Sequence, residues 1–124
     1  MSKHDPITTL KQIREAAQRA QSLCSGITLE QLQADWVKLL AFERVFEIIG
    51  EATKRLPMNL RLRYPEHDWK AAAGTRDVVS HGYDWVDSEL LWNAVHQKFP
   101  VLFTTIAQML ADLGGELPAE ADEA

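Results

Sequence analysis

The chain has 124 residues but only one cysteine, Cys24. An internal disulfide is therefore impossible, and a reducing compartment such as the cytoplasm is expected. Six glycines and five prolines are too few for a loop-rich or fibrous protein. No apolar run approaches the roughly 18 residues that a membrane-spanning helix requires. No charged and then apolar leader follows Met1, so we expect neither export nor membrane insertion.

The negative charge is unevenly distributed. A formal net charge of -5 by itself disfavours a nucleic-acid partner. Five of the acids lie after residue 111, where there is no lysine or arginine, and the rest of the chain is balanced. Between Lys54 and Arg76, basic residues outnumber acidic ones. This basic zone is compatible with a phosphate-bearing partner, although an ordinary solvated surface fits equally well.

Apolar periodicity predicts an all-α bundle of about five antiparallel helices and no strand. The first helix begins at Asp5-Pro6, and the second begins with a capping box formed by Thr28 and Gln31 and continues to about Leu56. Because this long second helix has two apolar faces, we expect one face to pack inside the subunit and part of the other to pack on a second chain.

The remaining helices follow from turn and cap signals. A third helix is predicted over residues 66–81 with Gly82 as its C-terminal cap, a fourth is capped by Asp87, and a fifth restarts at Pro100. Residues 1–113 should therefore form one helical domain. Residues 114–124 are small, acidic and broken by proline, so we expect a disordered tail.

Residues 76–83 hold the densest set of reactive side chains: Arg76, Asp77, Ser80, His81 and Tyr83. On a helix, Asp77 and His81 share a face, as do Arg76 and Ser80, because each pair is four residues apart. Arg76 and His81 are about 140° apart around the helix axis, so periodicity alone does not bring them together. The stretch could also be no more than a capped helix end.

Arginine and histidine together suit the cleavage of an RNA phosphodiester. A guanidinium can brace the phosphate oxygens, and an imidazole can move protons near neutral pH. One histidine cannot conveniently act as both acid and base in the same step. A two-fold dimer would supply a second copy across a cleft.

Metal chemistry has little support in the sequence. The histidines outside the motif show no metal-ligand spacing, and a structural zinc site is improbable with one cysteine. Glu43, Glu47 and Glu51 repeat every four residues, which is typical of a solvated face or an ion-pair ladder. Neither a clustered acid motif of the two-metal nucleases nor a glycine-rich phosphate loop is present. We therefore expect no metal and no cofactor.

The order of several motifs resembles the HepT family, the HEPN-domain toxins of prokaryotic toxin–antitoxin pairs. The matching residues are Ile48-Ile49-Gly50-Glu51-Ala52, then Trp69, then the stretch from Arg76 to Tyr83, then Val86-Asp87. The likeness covers roughly residues 5–113. By itself the Arg-x4-His-x-Tyr motif is weak evidence for the family. It is specific for the family when it follows the Ile-Gly-Glu-Ala helix at this distance.

The resemblance implies a homodimeric HEPN fold and a metal-independent endoribonuclease toxin of a type VII toxin–antitoxin system. It makes Arg76 and His81 catalytic. Asp77 stands where the family usually has asparagine and is a supporting group that adds negative charge to the cleft. Ser80 and Glu51 are further candidate supporting residues.

The resemblance also implies a means of control. Tyr83 corresponds to the family's tyrosine that is AMPylated by the partner antitoxin, a minimal nucleotidyltransferase called MntA. Added nucleotides would block RNA by steric bulk and like charge. A rival reading, favoured slightly by the acidic tail, is a non-catalytic HEPN module that binds a nucleotidyltransferase partner or a nucleotide.

Overall fold

The computed structural model describes residues 5–80 and 87–114; for residues 75–80 it describes the helix alone. Over these ranges the chain forms seven α-helices and no strand, which confirms the predicted all-α class. The helices are α1 (Pro6–Cys24), α2 (Leu29–Ala34), α3 (Trp36–Arg55), α4 (Met58–Leu62), α5 (Trp69–Ser80), α6 (Ser88–Gln97) and α7 (Phe99–Asp112).

Side-chain caps start the first two helices where the sequence predicts them. The Asp5 carboxylate accepts a hydrogen bond from the backbone N–H of Ile7 at 3.1 Å. At α2, the Thr28 hydroxyl accepts from the Gln31 N–H at 3.1 Å, and the Gln31 side chain accepts from the Thr28 N–H at 2.8 Å. These bonds satisfy backbone donors that a helix start leaves without an intrahelical partner.

The predicted long second helix is two helices, because Asp35 interrupts it. The backbone of Asp35 is extended, with φ -102° and ψ 96°. Its carboxylate accepts from the Lys38 N–H at 3.1 Å and caps α3, which is the local competition with helical bonding that aspartate offers. The break and the short helix α4 account for seven helices instead of five.

The new helix start leaves an apolar surface uncovered in the isolated chain. Trp36, Val37 and Leu40 are 71%, 58% and 57% exposed. We call these three side chains the α3 surface. The three side chains lie within about 100° of one another around the axis of α3, so they form one patch.

A single core holds α1, α3, α6 and α7 together. Aromatic rings connect α3 to α7: Phe42 packs edge-on against Phe46 with centroids 5.1 Å apart, and Phe46 lies 5.6 Å from Phe99. Aliphatic side chains surround this contact, and several have no exposed surface: Leu10, Ile13, Leu32, Ile106 and Leu110.

A network of hydrogen bonds anchors the start of α5. The Trp69 indole is buried, and its N–H donates to the carbonyl of Tyr64 at 2.9 Å. The Tyr64 hydroxyl donates to Asp112 of α7 at 2.6 Å. This bond lowers the pKa of Asp112 and raises that of Tyr64. Asp68 accepts from the Ala71 N–H at 3.0 Å, and α5 then packs along α3.

The starts of α6 and α7 agree with the predictions. Asp87 accepts from the Leu90 N–H at 3.1 Å, and α7 begins one residue before Pro100. Gly114, at φ 74°, follows α7 in the left-handed conformation that glycine adopts without strain. The proposed cap Gly82 and residues 115–124 of the predicted tail lie outside the described residues. Asp112 belongs to α7.

The start of α6 is also tied to α2. Gln33 donates from its side-chain amide to the hydroxyl of Ser88 at 2.9 Å, and Ser88 is 8% exposed. Residues 81–86 precede this point in the chain. Residue 86 is therefore followed directly by the start of α6, which Asp87 caps and which the Gln33–Ser88 hydrogen bond ties to α2.

Replacing Asp87 tests this cap. We expect Asp87→Ala to lower the free energy of unfolding by about 1 kcal/mol, because the Leu90 N–H loses its acceptor. Asp87→Asn should keep nearly full stability, since asparagine caps helices equally well. Urea unfolding of the three proteins measures the difference. Equal midpoints for the alanine and asparagine variants would contradict a stabilising cap.

Candidate functional site

The reactive stretch begins on the second half of α5. Arg76, Asp77 and Ser80 belong to this helix, which is continuous from Trp69 to Ser80. Arg76 and Ser80 are therefore one turn apart along the helix, as the sequence predicts. His81 and Tyr83 lie outside the described residues, as do the side chains of residues 75–80. The helix places the motif at its carboxyl end, beyond the anchor at Trp69.

Glu51, a candidate supporting residue, lies on the side of α3 that faces α1. It is two residues after Ile49, or about 200° around the helix axis, and Ile49 lines a different surface beside α5. Glu51 borders a charged cleft of about 280 Å³ between α1 and α3. Its carboxylate lies 3.9 Å from the Arg44 guanidinium. Its supporting role stays a prediction.

The charged cleft is an ion-pair ladder with exposed members. Arg44 also pairs with Glu47, three residues along α3. On the α1 side, Arg19 lies 3.4 Å from Glu15. Exposed pairs of this kind contribute at most about 1 kcal/mol each, so the cleft is not a strongly organised ligand site.

The basic zone predicted between Lys54 and Arg76 is partly engaged with the protein itself. Arg55 donates to the side-chain oxygen of Gln12 on α1 at 3.2 Å. The Arg63 guanidinium carbon lies 5.8 Å from the centre of the Tyr64 ring, within the range of a cation–π contact. Two of the cations in this zone therefore stabilise contacts within the subunit.

A groove of about 470 Å³ lies beside α5 and adjoins α3, α6 and α7. We call it the α5 groove. The first half of α5 contributes Ala71, Ala72 and Gly74, and α6 contributes Asn93 and Gln97 among others. Its volume lies within the roughly 300–1,000 Å³ that small-ligand pockets occupy. The helix that carries the motif arginine thus also borders a concave surface.

His67 forms part of the wall of the α5 groove. It is 8% exposed, and its ring packs edge-on against Trp69 with centroids 4.7 Å apart. Burial lowers the pKa of His67, and nearby Lys98 lowers it further, whereas Asp68 opposes the shift. The neutral form of the imidazole is therefore favoured. Its Nε2 atom is buried and has no hydrogen-bond partner among the described residues.

Sequence reasoning missed the groove residues. His67 was weighed only as a metal ligand, and Asn93, Gln97 and Lys98 were not singled out. The available signal was the pair of amide side chains Asn93 and Gln97, which are four residues apart on the same helix. That spacing indicates a shared face, but only packing shows that this face borders a cavity.

The remaining reactive groups have ordinary structural explanations. Burial raises the pKa of Cys24 to about 11, so its thiol is protonated and unreactive. Burial also raises the pKa of Glu43 on α3. Among the described side chains, no group of three or more histidine, cysteine, aspartate or glutamate residues could hold a metal ion. No described helix is long and apolar enough to cross a membrane.

Comparison with known proteins identifies the family. A family model described as ribonuclease HepT-like matches residues 13–109, a range that includes the α5 groove, the motif and all of the charged cleft except Gln12. No solved structure matches the chain.

Curated relatives share most of their length with this chain. A protein of Methanocaldococcus jannaschii, provisionally named an RNase, is 31% identical over 116 residues, which covers 94% of this chain and 96% of the relative. A Thermococcus cleftensis protein, provisionally named ribonuclease HepT, is 34% identical over 93 residues, which covers 75% of this chain and 84% of the relative. A Caldanaerobacter subterraneus protein, provisionally named an RNase, is 36% identical over 85 residues, which covers 68% of this chain and 76% of the relative. The chain therefore belongs to the HepT-like ribonuclease family, which confirms the predicted family and, at the level of the family, the predicted ribonuclease class.

Proposed function

We propose that this chain is a metal-independent endoribonuclease, the toxin of a type VII toxin–antitoxin pair, and that it acts as a homodimer. The observation that carries the proposal is the Arg-x4-His-x-Tyr motif, which begins on the anchored helix α5 of a HepT-like chain. The cognate antitoxin in this proposal is an MntA-like minimal nucleotidyltransferase. The substrate is RNA.

The proposed reaction is a transesterification within the RNA strand. A base removes the proton of the 2′-hydroxyl, and the 2′-oxygen attacks the adjacent phosphorus. The bond from phosphorus to the 5′-oxygen breaks, and an acid protonates the departing 5′-oxygen. The products are a 2′,3′-cyclic phosphate and a free 5′-hydroxyl, and the proton count balances without a metal ion.

Each motif residue has a role in this reaction. Arg76 neutralises the charge that develops on the phosphorane oxygens. His81 of one subunit is the base and His81 of the other is the acid. Asp77 orients His81 and favours its charged form, and Ser80 supports Arg76 from one helical turn away. The anchoring of α5 supports these assignments, because catalytic groups act only when they are held in a fixed geometry.

The exposed α3 surface supports the homodimer. A tryptophan, a valine and a leucine that are each more than half exposed form an apolar patch that favours association. The patch begins three residues after Gln33, which is bonded to Ser88 at the start of α6. A partner packed on the α3 surface would therefore lie close to Ser88, two residues after Val86. That position would bring the motifs of two subunits toward one cleft.

Tyr83 provides the proposed control point. The antitoxin would transfer AMP from ATP to the Tyr83 hydroxyl and release pyrophosphate. Each transferred nucleotide adds a phosphate charge two residues after His81. Like charge and steric bulk would then exclude an RNA phosphate from Arg76 and His81.

Replacing His81 tests the catalytic assignment. We expect His81→Ala to lose RNA cleavage while it keeps its melting temperature and mass in solution, because only the proton-transfer group is removed. The assay is incubation of single-stranded RNA with purified protein in EDTA. A variant that cuts RNA as fast as the wild type would refute the assignment. Intact RNA at high concentrations of wild-type protein would favour the non-catalytic HEPN module instead.

Charges on the α3 surface test the homodimer. We expect the double variant Val37→Lys/Leu40→Lys to be a monomer without cleavage activity, because a buried unpaired ammonium disrupts an apolar interface. Leu62→Lys on α4, where the leucine is 72% exposed, is the matched control and should leave the dimer intact. Light scattering after size-exclusion chromatography gives the mass. A dimeric double variant would exclude this interface, and a monomeric wild type would exclude the dimer.

The control mechanism is tested with Tyr83→Phe. The wild-type protein should gain the mass of one or more AMP groups and lose cleavage activity after incubation with the antitoxin and ATP. The phenylalanine variant, compared with its own untreated sample, should change in neither respect, because it lacks the accepting hydroxyl. Mass spectrometry of intact protein and the EDTA cleavage assay measure both. Modification of the variant at an equal level would place the accepting residue elsewhere.

A further inference from the structure

The α5 groove combines an apolar floor with open space above it. Phe46, Phe99 and Leu102 line it and are 3%, 4% and 1% exposed. The two phenylalanine rings lie 5.6 Å apart and are tilted by 33°. A flat aromatic or heterocyclic group entering the groove would exchange water for this apolar floor, which is the main favourable term in small-ligand binding.

Polar side chains border the groove on α6. Asn93 and Gln97 are exposed groove residues one turn apart on the same face of the helix. Each amide offers both a donor and an acceptor. Lys98 follows directly and adds a positive charge to the rim. A ligand with a flat apolar face, a polar edge and a nearby negative charge matches this combination, and a nucleotide has all three.

The groove is continuous with the helix that carries the motif arginine. Ala72 lines it, and Arg76 follows Ala72 by four residues, or about 6 Å along the helix axis. A strand whose phosphate meets Arg76 would therefore have a neighbouring nucleotide within reach of the groove. An apolar protein segment would fill the floor equally well, but it would leave the two amides and the lysine without matching groups.

We infer that the α5 groove holds one unpaired base of the RNA substrate, that Asn93 and Gln97 read the edge of that base, and that Lys98 attracts the adjoining phosphate. This inference rests on the ribonuclease function proposed above. Proteins commonly recognise RNA sequence in this way, with single-stranded bases displaced from the stack and bonded along their edges. The groove is then a specificity site, separate from the proton-transfer groups.

The buried imidazole of His67 agrees with an occupied groove. Its Nε2 atom is buried without a partner among the described residues, and buried polar atoms of this kind usually have an explanation such as a missing ligand or water. His67 lies in the wall of the groove, so the atom is next to the space that a base would occupy.

Cleavage rates on a matched set of substrates test the inference. The substrates are short single-stranded RNAs that differ by one base on either side of the cut. The wild-type protein should prefer one base at one position by about tenfold or more, since a bidentate amide contact discriminates by roughly that factor. In Asn93→Ala and Gln97→Ala the preference should fall to about threefold or less, with unchanged melting temperatures because both side chains are exposed. Lys98→Gln should lower kcat/KM for all substrates alike and reduce the salt dependence.

Two further variants sharpen the comparison. Gln18→Ala removes an exposed amide of the same kind from α1, so it should leave the rate and the preference unchanged. Ala94→Trp fills the groove from α6, so it should weaken the binding of every substrate whose base must enter the groove. If Asn93→Ala and Gln97→Ala keep the wild-type preference, the groove does not read the RNA. An equal loss for all bases with a lower melting temperature would show a structural role and would also overturn the inference.

A binding measurement separates this inference from the proposed ribonuclease. Fluorescence anisotropy with an uncleavable oligonucleotide, which has a 2′-deoxy residue at the scissile position, needs no catalysis. A wild-type protein that binds this probe but cuts no RNA would refute the nuclease, and a tenfold loss of affinity in Gln97→Ala would still support the groove. A wild-type protein that cuts RNA, with affinity and base preference unchanged in Gln97→Ala, would refute the groove alone. A failure to bind and to cut would refute both.

Discussion

Burial of the Trp69 indole determines where α5 begins, and the candidate site depends on this contact. The indole N–H donates to the Tyr64 carbonyl, and an unsatisfied N–H at this buried position would cost about 1–3 kcal/mol. Tyr64 is in turn bonded to Asp112 at the end of α7. The start of α5 is therefore tied to two other elements. The motif arginine follows about two turns later on the same helix, so its placement relative to the core derives from this anchor.

Helix α3 separates two surfaces of different chemistry. Toward α1 it presents Arg44 and Glu51, which border the charged cleft, and Arg44 pairs with both Glu51 and Glu47. Toward α5 it presents Phe46 and Ile49, which line the apolar floor of the α5 groove. The helical repeat explains the division, because residues two apart point in nearly opposite directions. The stretch from Ile48 to Ala52 thus spans both surfaces, because Glu51 borders the charged cleft and Ile49 lines the α5 groove.

Features that depend on local interactions were predictable. Asp5, Thr28 and Asp87 cap helices as expected because capping needs only a side chain and a backbone N–H a few residues away. Asp35 was missed because apolar periodicity continues across it, and nothing in the periodicity shows which aspartate will cap. Glu51 was grouped with the motif by sequence order, whereas its described contacts lie on the α1 side of α3.

The amino-acid sequence by itself determined the all-α class, most helix ends and the HepT-like family, since these depend on periodicity, capping residues and the order of short motifs. Only the tertiary structure decided which polar residues border a cavity. His67 precedes α5, whereas Asn93 and Lys98 lie on or directly after α6. They border one groove because α5 and α6 both pack against α3, and α6 also packs against α7. The geometry of that packing depends on side chains from several helices at once, and no local pattern in the sequence encodes it.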